Sequence, residues 1–101
     1  MPSAQLNRAL MRGQLSIMQR LTAAKTAGEQ LAIADWNAEG SVPLQQAFDW
    51  ADEAYEDAAA EIIDRQNFGP EQRDILRNGF IASYLATVAR YAIIALGEKV
   101  R

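Results

Sequence analysis

The amino-acid sequence predicts an all-α protein, an antiparallel bundle of three to four helices that forms a dimer. Half of the residues are hydrophobic, and alanine and leucine dominate that half, a composition that favours helix over strand. Apolar residues recur at intervals of three and four, and no strand pattern rises above background. A chain of 101 residues is expected to form one domain, residues 1–101, with a modest core.

Glycine and proline divide the chain into predicted helices at about 4–26, 28–38, 42–66 and 71–98. Gly40 suits a left-handed cap at a helix end, Ser41 suits an N-cap, and Pro43 fits the first turn of the next helix. The sequence Asn-Phe-Gly-Pro-Glu at 67–71 separates the last two helices in the same way.

The weakest predicted boundary lies at Gly28. Thr26 and Glu29 stand three residues apart around it, as in a capping box. An unbroken helix from Ser3 to Asn37 would run roughly 50 Å, which is long for a domain of this size. We therefore expect a kink or break near Gly28, or an arm that reaches a second subunit.

The predicted helix at 42–66 has the clearest amphipathic pattern. Its apolar stripe, opposite an acidic face, consists of Leu44, Phe48, Ala51, Tyr55, Ala58 and Ile62. Trp50 lies about 120° from the centre of this stripe. It is either a boundary residue against the first helix or an anchor for a partner protein.

The first and last helices carry more apolar surface than a single copy of the chain can bury. The first has one stripe of Leu6, Leu10, Ile17, Leu21 and Leu31, and a second of Met11, Leu15 and Met18. In the last helix, Arg90 is the only charge between Phe80 and Leu96. A two-fold dimer would bury the surplus most simply, and binding to a different protein is the competing solution.

The last helix presents three features, each with an alternative. Its apolar stretch, 80–96, is shorter than the ~20 residues of a membrane span, so we favour a central helix over a tail anchor. The stripe Ala82, Ala86 and Ala89 allows close helix approach, between chains or within one. The third feature is a group of Phe80, Tyr84, Tyr91, Arg73 and Arg77. It has the composition of a protein interface, could stack on nucleic acid bases, or forms an ordinary core with arginine head groups in solvent.

The interface candidates from these patterns are Met11, Leu15, Met18, Trp50, Arg77, Phe80, Tyr84 and Tyr91.

Charge is also unevenly distributed along the chain: residues 1–28 carry four bases and no acid, 29–64 carry ten acids and no base, and 65–101 carry six bases and three acids. This pattern favours charge complementarity between the helices, with an acidic face for a basic partner as the alternative. An isoelectric point near 4.8 disfavours nucleic acid binding.

Histidine and cysteine are absent, which removes the commonest general base, thiolate nucleophiles and the usual zinc ligands. The acids Glu53, Asp57 and Glu61 lack a calcium-binding loop, so they are expected to form a solvated face. We predict no enzyme activity, no cofactor, no metal site and no small-molecule substrate. The N-terminus lacks a signal-peptide pattern, so the expected location is the cytoplasm, in a protein of bacterial style.

Two segments resemble a family of small uncharacterised bacterial helical proteins. The first is Val-Pro-Leu-Gln-Gln-Ala-Phe at 42–48, and the second is Phe-Ile-Ala-Ser-Tyr-Leu-Ala-Thr-Val-Ala-Arg at 80–90. The resemblance covers about half of the chain, the spacer at 64–79 departs from it, and it implies no catalytic residue.

The expected function is a regulator or inhibitor that binds a partner such as a transcription factor or a defence enzyme. The alternative is a structural homo-oligomer of a phage or secretion assembly.

Overall fold

The computed structural model describes the backbone of residues 2–58 and 69–100, and the side chains of residues 17–58 and 69–98. Within these residues lie three α-helices, α1 (Pro2–Glu39), α2 (Ala47–Ala58) and α3 (Pro70–Val100), and a short 3-10 turn at Leu44–Gln46. No strand occurs in these residues. The predicted all-α fold class is therefore confirmed.

Helix α1 runs through Gly28 without interruption for 38 residues, or about 57 Å at 1.5 Å per residue. The predicted break near Gly28 is wrong. Gly28 lies against the backbone of α3, where an added Cβ would stand 2.3 Å from the carbonyl oxygen of Phe80. Because Gly28 has no side chain, the backbones of α1 and α3 can pack closely there; the glycine does not end a helix.

Helix α1 ends where the sequence predicts, beside Gly40, which has a positive φ of 81° that glycine adopts without steric cost. Pro43 is extended, with φ −61° and ψ 123°, and does not lie in the first turn of the next helix. Its carbonyl oxygen accepts a hydrogen bond from the Gln46 N–H at 3.0 Å. The helix predicted from about residue 42 thus opens as a 3-10 turn and becomes α2 at Ala47.

The buried stripe of α2 differs from the predicted one. Leu44 and Phe48 are 64% and 53% exposed, whereas Ala47, Ala51 and Tyr55 are buried. Ala51 and Tyr55 are thus buried as predicted. The 3-10 turn accounts for Leu44, because it advances about 120° per residue rather than 100° and displaces Leu44 relative to the residues of α2. On α2 itself, Ala47 rather than Phe48 takes the buried place beside Ala51. Of the other predicted stripe residues, Ala58 is exposed and Ile62 lies outside the described residues.

Helices α1 and α3 pack side by side and run in the same direction. Leu21 lies at Gly79, Gly28 lies at Phe80, and Trp36 contacts the ring of Tyr91. The predicted stripe residues Ile17, Leu21 and Leu31 are half-buried, while the most buried line on α1 is Ala24, Gly28 and Ala32. Small residues on α1 thus let the backbones approach closely.

Helix α2 covers one side of the α1–α3 pair through Tyr55, whose ring lies 5.6 Å from that of Phe80 in an edge-to-face arrangement. The molecule is long and thin, 64 × 28 × 18 Å, with a radius of gyration of 17.1 Å. A compact chain of this length has a radius of gyration of about 13 Å. The described part of the chain therefore leaves much of the α1–α3 pair uncovered.

Candidate interaction surfaces

Two predicted interface residues, Phe80 and Tyr84, belong to the core of the chain. Both have no exposed surface. Phe80 packs on Tyr55, and the Tyr84 hydroxyl donates a 2.6 Å hydrogen bond to Oδ2 of Asp35. The structure thus places both predicted interface residues in the core, because the aromatic side of α3 faces α1 and α2 of the same chain.

The Tyr84 hydroxyl is held in its protonated form. Burial raises its pKa well above the usual range, and the hydrogen bond and negative charge of Asp35 raise it further. Asp35 is partly buried, and a carboxylate in such a place needs donors to replace the water it has lost. The Tyr84–Asp35 pair thus fastens α3 to α1 through a hydrogen bond that persists at neutral pH.

Arg77 is partly an internal contact. It forms an ion pair with Asp52 on α2, and its guanidinium lies 5.9 Å from the ring centre of Tyr55. Arg90 approaches Glu29 on α1 at 3.5 Å. Charges on α3 thus meet acids on both other helices, as the predicted complementarity between helices requires.

Tyr91 lies near the end of α1, where the surface stays open. Its ring packs edge-to-face on Trp36, with centres 5.7 Å apart. The two rings border a shallow hollow beside Ile94, which is 54% exposed. Of the remaining predicted interface residues, Met18 is 61% exposed, while the side chains of Met11 and Leu15 lie outside the described range.

Trp50 borders an acidic hollow, here called the Trp50 cleft. It lies between the C-terminal half of α1 and the outward side of α2, and its volume is about 330 Å³. Its lining is Leu31, Asp35, Glu39, Trp50, Glu53, Ala54, Asp57 and Ala58. The half-buried indole lies among four carboxylates, three of which, on Glu39, Glu53 and Asp57, show no ion pair with other described residues.

A second surface, here called the open face, lies on the side of α1 and α3 away from α2. Its apolar residues are Met18 and the half-buried Ile33 on α1, with Thr22, Thr26 and Glu29 between them, and Ile75, Ala82, Ala86, Ala89 and Ile93 on α3. The α3 members fall within an arc of about 60° on a helical wheel. Ile75 is 47% exposed and Ile93 is 71% exposed.

The Arg90–Glu29 ion pair joins the two helices at the centre of the open face, which shows that its α1 and α3 residues share one side of the molecule. The three alanines of the predicted small-residue stripe are all exposed. They therefore make no close helix contact within the described part of the chain. Sequence reasoning overlooked Ile75, although its position on the same wheel as Ile93 was the available signal.

Helix α3 is also long and apolar enough to cross a membrane, judged by length and composition. The segment Pro70–Glu98 contains an 18-residue window of mean hydropathy 1.6, and 28% of that window is buried. Its inner side packs against the other helices, whereas its outer side is the open face. The core helix of a soluble protein passes the same test of length and composition.

Comparison of the chain with protein-family models, curated proteins and solved structures found no match. The resemblance of residues 42–48 and 80–90 to a family of small helical proteins stays a prediction.

Proposed function

We propose that the chain is a non-enzymatic interaction module, a regulator or inhibitor that binds a basic segment of a partner protein in the Trp50 cleft. One observation supports the proposal above the others. An indole and three carboxylates without ion pairs among the described residues converge on one hollow. This combination of side chains suits a lysine or arginine of another protein.

The chemistry of the cleft matches both parts of such a side chain. Leu31 and Ala54 provide apolar surface for the methylene stem. The face of the Trp50 ring attracts a cation, and the carboxylates of Glu53 and Asp57 accept charge-assisted hydrogen bonds from it. A volume of about 330 Å³ holds one or two such side chains rather than a folded domain.

The charge around the cleft extends this preference to a longer segment. Ten acids and no base occupy residues 29–64, which include every residue that lines the cleft. A field of one sign speeds the approach of an oppositely charged partner and disfavours acidic ones. The proposed partner segment is therefore basic over several residues.

Fluorescence of Trp50 tests the proposal directly. In a Trp36→Phe background, Trp50 is the only tryptophan. We expect an arginine-containing peptide to change its emission and an acidic peptide of equal length to have no effect. Binding should weaken at least tenfold in Glu53→Gln/Asp57→Asn and persist in the matched control Glu71→Gln, on an exposed residue of α3. Equal binding by both variants would refute the proposal.

A cytoplasmic location is part of this proposal. The inner side of α3 makes polar contacts with α1, which supports this location. One of them is the hydroxyl of Ser83, which donates a hydrogen bond to the Lys25 carbonyl oxygen at 2.6 Å. Together with Tyr84–Asp35, these contacts hold α3 against a charged helix. Fractionation of cells that express the chain tests this point, and recovery in the membrane fraction would contradict it.

A structural role in a phage or secretion assembly is the second candidate. The elongated shape, 64 × 28 × 18 Å, favours it, because long helical subunits pack readily along their sides into rings or filaments. Light scattering separates the two functions. Particles of many subunits would favour the structural role, whereas particles of one or two subunits would favour the interaction module.

A further inference from the structure

One carboxylate of the Trp50 cleft is held in place by the core of the chain. Asp35 lines the cleft, and its Oδ2 accepts the 2.6 Å hydrogen bond from the Tyr84 hydroxyl. Tyr84 has no exposed surface, whereas Asp35 is partly exposed. The contact therefore joins the buried interior of the protein to a surface that a partner can reach.

We infer that the Trp50 cleft selects arginine over lysine, with Asp35 as the residue that sets this preference and Tyr84 as the positioning residue behind it. The inference rests on the proposed function, because it names the side chain that a basic partner segment inserts into the cleft. The guanidinium lies flat on the Trp50 ring and donates from its edge to Asp35.

The hydrogen bond from Tyr84 leaves one oxygen of Asp35 for a ligand. Oδ1 accepts no hydrogen bond from the other side chains that the structure describes. Burial, followed by the hydrogen bond and charge of Asp35, raises the pKa of the Tyr84 hydroxyl, so that the hydroxyl remains a donor at neutral pH. The carboxylate cannot rotate without losing this bond. Oδ1 is thus an acceptor of fixed direction, which favours a donor group of fixed geometry.

A guanidinium and an ammonium differ in the way that this cleft can detect. The guanidinium has five N–H donors in one rigid plane, whereas the ammonium is a compact, strongly hydrated charge on a flexible stem. A guanidinium stacks on an indole while its edge still donates to carboxylates. An ammonium loses more of its hydration when it enters a site beside a half-buried ring. Trp50, which is half-buried, therefore favours arginine.

The acceptors of the cleft come from two helices, which also suits a guanidinium. Asp35 and Glu39 lie on α1, and Glu53 and Asp57 lie on α2. The two acids of each pair are four residues apart, so they share one side of their helix. The N–H groups on the two edges of a guanidinium reach acceptors on both helices at once, which a compact ammonium does less readily.

The end of α1 gives an independent reason to expect a cation in this place. Glu39 is the last residue of α1, Asp35 lies about one turn before it, and the last turn contains no base. The carboxyl end of a helix carries the negative end of its dipole, where acids are unfavourable and cations are favourable. The chain thus keeps two acids where they lower its stability, a kind of local conflict that proteins retain at functional sites.

The chain itself supplies no cation to the cleft among the residues that the structure describes. Arg77 forms its ion pair with Asp52. Arg90 approaches Glu29. No lysine or arginine lines the cleft, so the cation that these carboxylates attract must come from a partner.

Peptide titrations that compare two cations test the inference. The two peptides have equal length and charge and differ only in carrying arginine or lysine at each basic position. Trp50 fluorescence in the Trp36→Phe background reports binding. We expect the arginine peptide to bind about fivefold more tightly, the effect of roughly one additional hydrogen bond.

The same titrations separate this inference from the proposed function. Equal affinity for both peptides, or a preference for lysine, would overturn the selection of arginine and leave the site for a basic segment intact. Failure of both peptides to bind would refute the proposed function and this inference together.

Asp35→Asn tests the residue that sets the preference. The variant keeps a carbonyl oxygen for the Tyr84 hydroxyl but replaces the other carboxylate oxygen with an amide NH2 group. Affinity for the arginine peptide should fall by about tenfold or more, and the preference over lysine should disappear. The matched control is Asp49→Asn, an exposed residue of α2 outside the cleft, which should keep the preference. An undiminished preference in Asp35→Asn would overturn the role of Asp35.

Tyr84→Phe tests the positioning role, because it deletes the hydroxyl and leaves the ring. Without this bond the carboxylate of Asp35 can rotate, so the ratio of arginine to lysine affinity should fall towards one while the lysine peptide still binds. The matched control Tyr91→Phe should keep the ratio, and circular dichroism verifies that both variants are folded. A merely structural role would weaken both peptides equally, so an unchanged ratio in Tyr84→Phe would overturn the positioning role.

Discussion

The inner and outer sides of α3 both carry apolar residues but have very different surroundings. Phe80 and Val88 on the inner side are fully buried, whereas Ile75 and Ile93 on the outer side are about half or more exposed. Both sides include small residues suited to close helix contact. The difference arises on α1, where Gly28 and the neighbouring alanines match the inner side.

Polar contacts distinguish the two sides further. On the inner side, Tyr84 donates to Asp35, Ser83 donates to the Lys25 carbonyl oxygen, and Thr87 donates to the Ser83 carbonyl oxygen. The first two bonds fix the register of α3 against α1, whereas the third lies within α3 itself. The outer side offers mainly aliphatic surface, with no hydrogen bond of this kind among the described residues. An apolar stripe alone therefore does not reveal which side of a helix the chain buries.

Truncation of an inner aromatic residue should have the largest effect. Phe80→Ala removes a ring that is fully buried, and the free energy of unfolding should fall by about 3–5 kcal/mol. The matched change on the outer side, Leu96→Ala, affects a side chain that is 63% exposed and should cost less than about 0.5 kcal/mol. Urea denaturation of dilute protein measures both. Equal losses would mean that the two sides are not distinct.

A methyl group at the helix contact should have the next largest effect. In Gly28→Ala the new Cβ would lie 2.3 Å from the Phe80 carbonyl oxygen, so the backbones must separate, at a cost of about 1–3 kcal/mol. Gly97→Ala meets nothing within 4 Å and should stabilise the chain by up to about 1 kcal/mol through helix propensity. Opposite shifts in thermal midpoint are expected, and a stabilising Gly28→Ala would refute the close contact.

Removal of the Tyr84 hydroxyl should have the smallest effect at neutral pH. Tyr84→Phe deletes the hydrogen bond to Asp35 and should cost about 1 kcal/mol. The larger effect on stability is expected at alkaline pH. An unfolded tyrosine loses its proton near pH 10, while folding raises the pKa of Tyr84 above that value.

Above about pH 10 the folded chain therefore keeps a proton that the unfolded chain has lost. Stability should fall as pH rises there, by up to about 1.4 kcal/mol per pH unit. Tyr84→Phe should remove this part of the decline, and the control Tyr91→Phe should retain it. Denaturation curves recorded at several alkaline pH values measure the slope. An identical slope in Tyr84→Phe would show that its hydroxyl is not protected.

Patterns in the sequence predicted the fold class and the end of α1 at Gly40, because composition and turn chemistry are local properties. They failed at Gly28, where a glycine and a capping motif looked like a helix end. The helix continues because Phe80, 52 positions later, packs against that glycine. Such a contact is not visible in any short stretch of sequence.

The interaction surfaces were predicted only in part. Trp50 was recognised as unusual from its place on the helical wheel, and it does border a hollow. Phe80 and Tyr84 looked like interface residues because aromatic and arginine side chains are common in interfaces and cores alike. Only the positions of the neighbouring helices separate these two uses.

Helix α2 covers just one side of the α1–α3 pair, and this asymmetry has a consequence for local unfolding. The acidic cleft has one wall on α2 and the other on α1, so it exists only while α2 stays docked. A guest that touches both walls therefore opposes the detachment of α2. Occupied and empty forms of the protein would then differ in how often this short helix opens, with no change in their average shape.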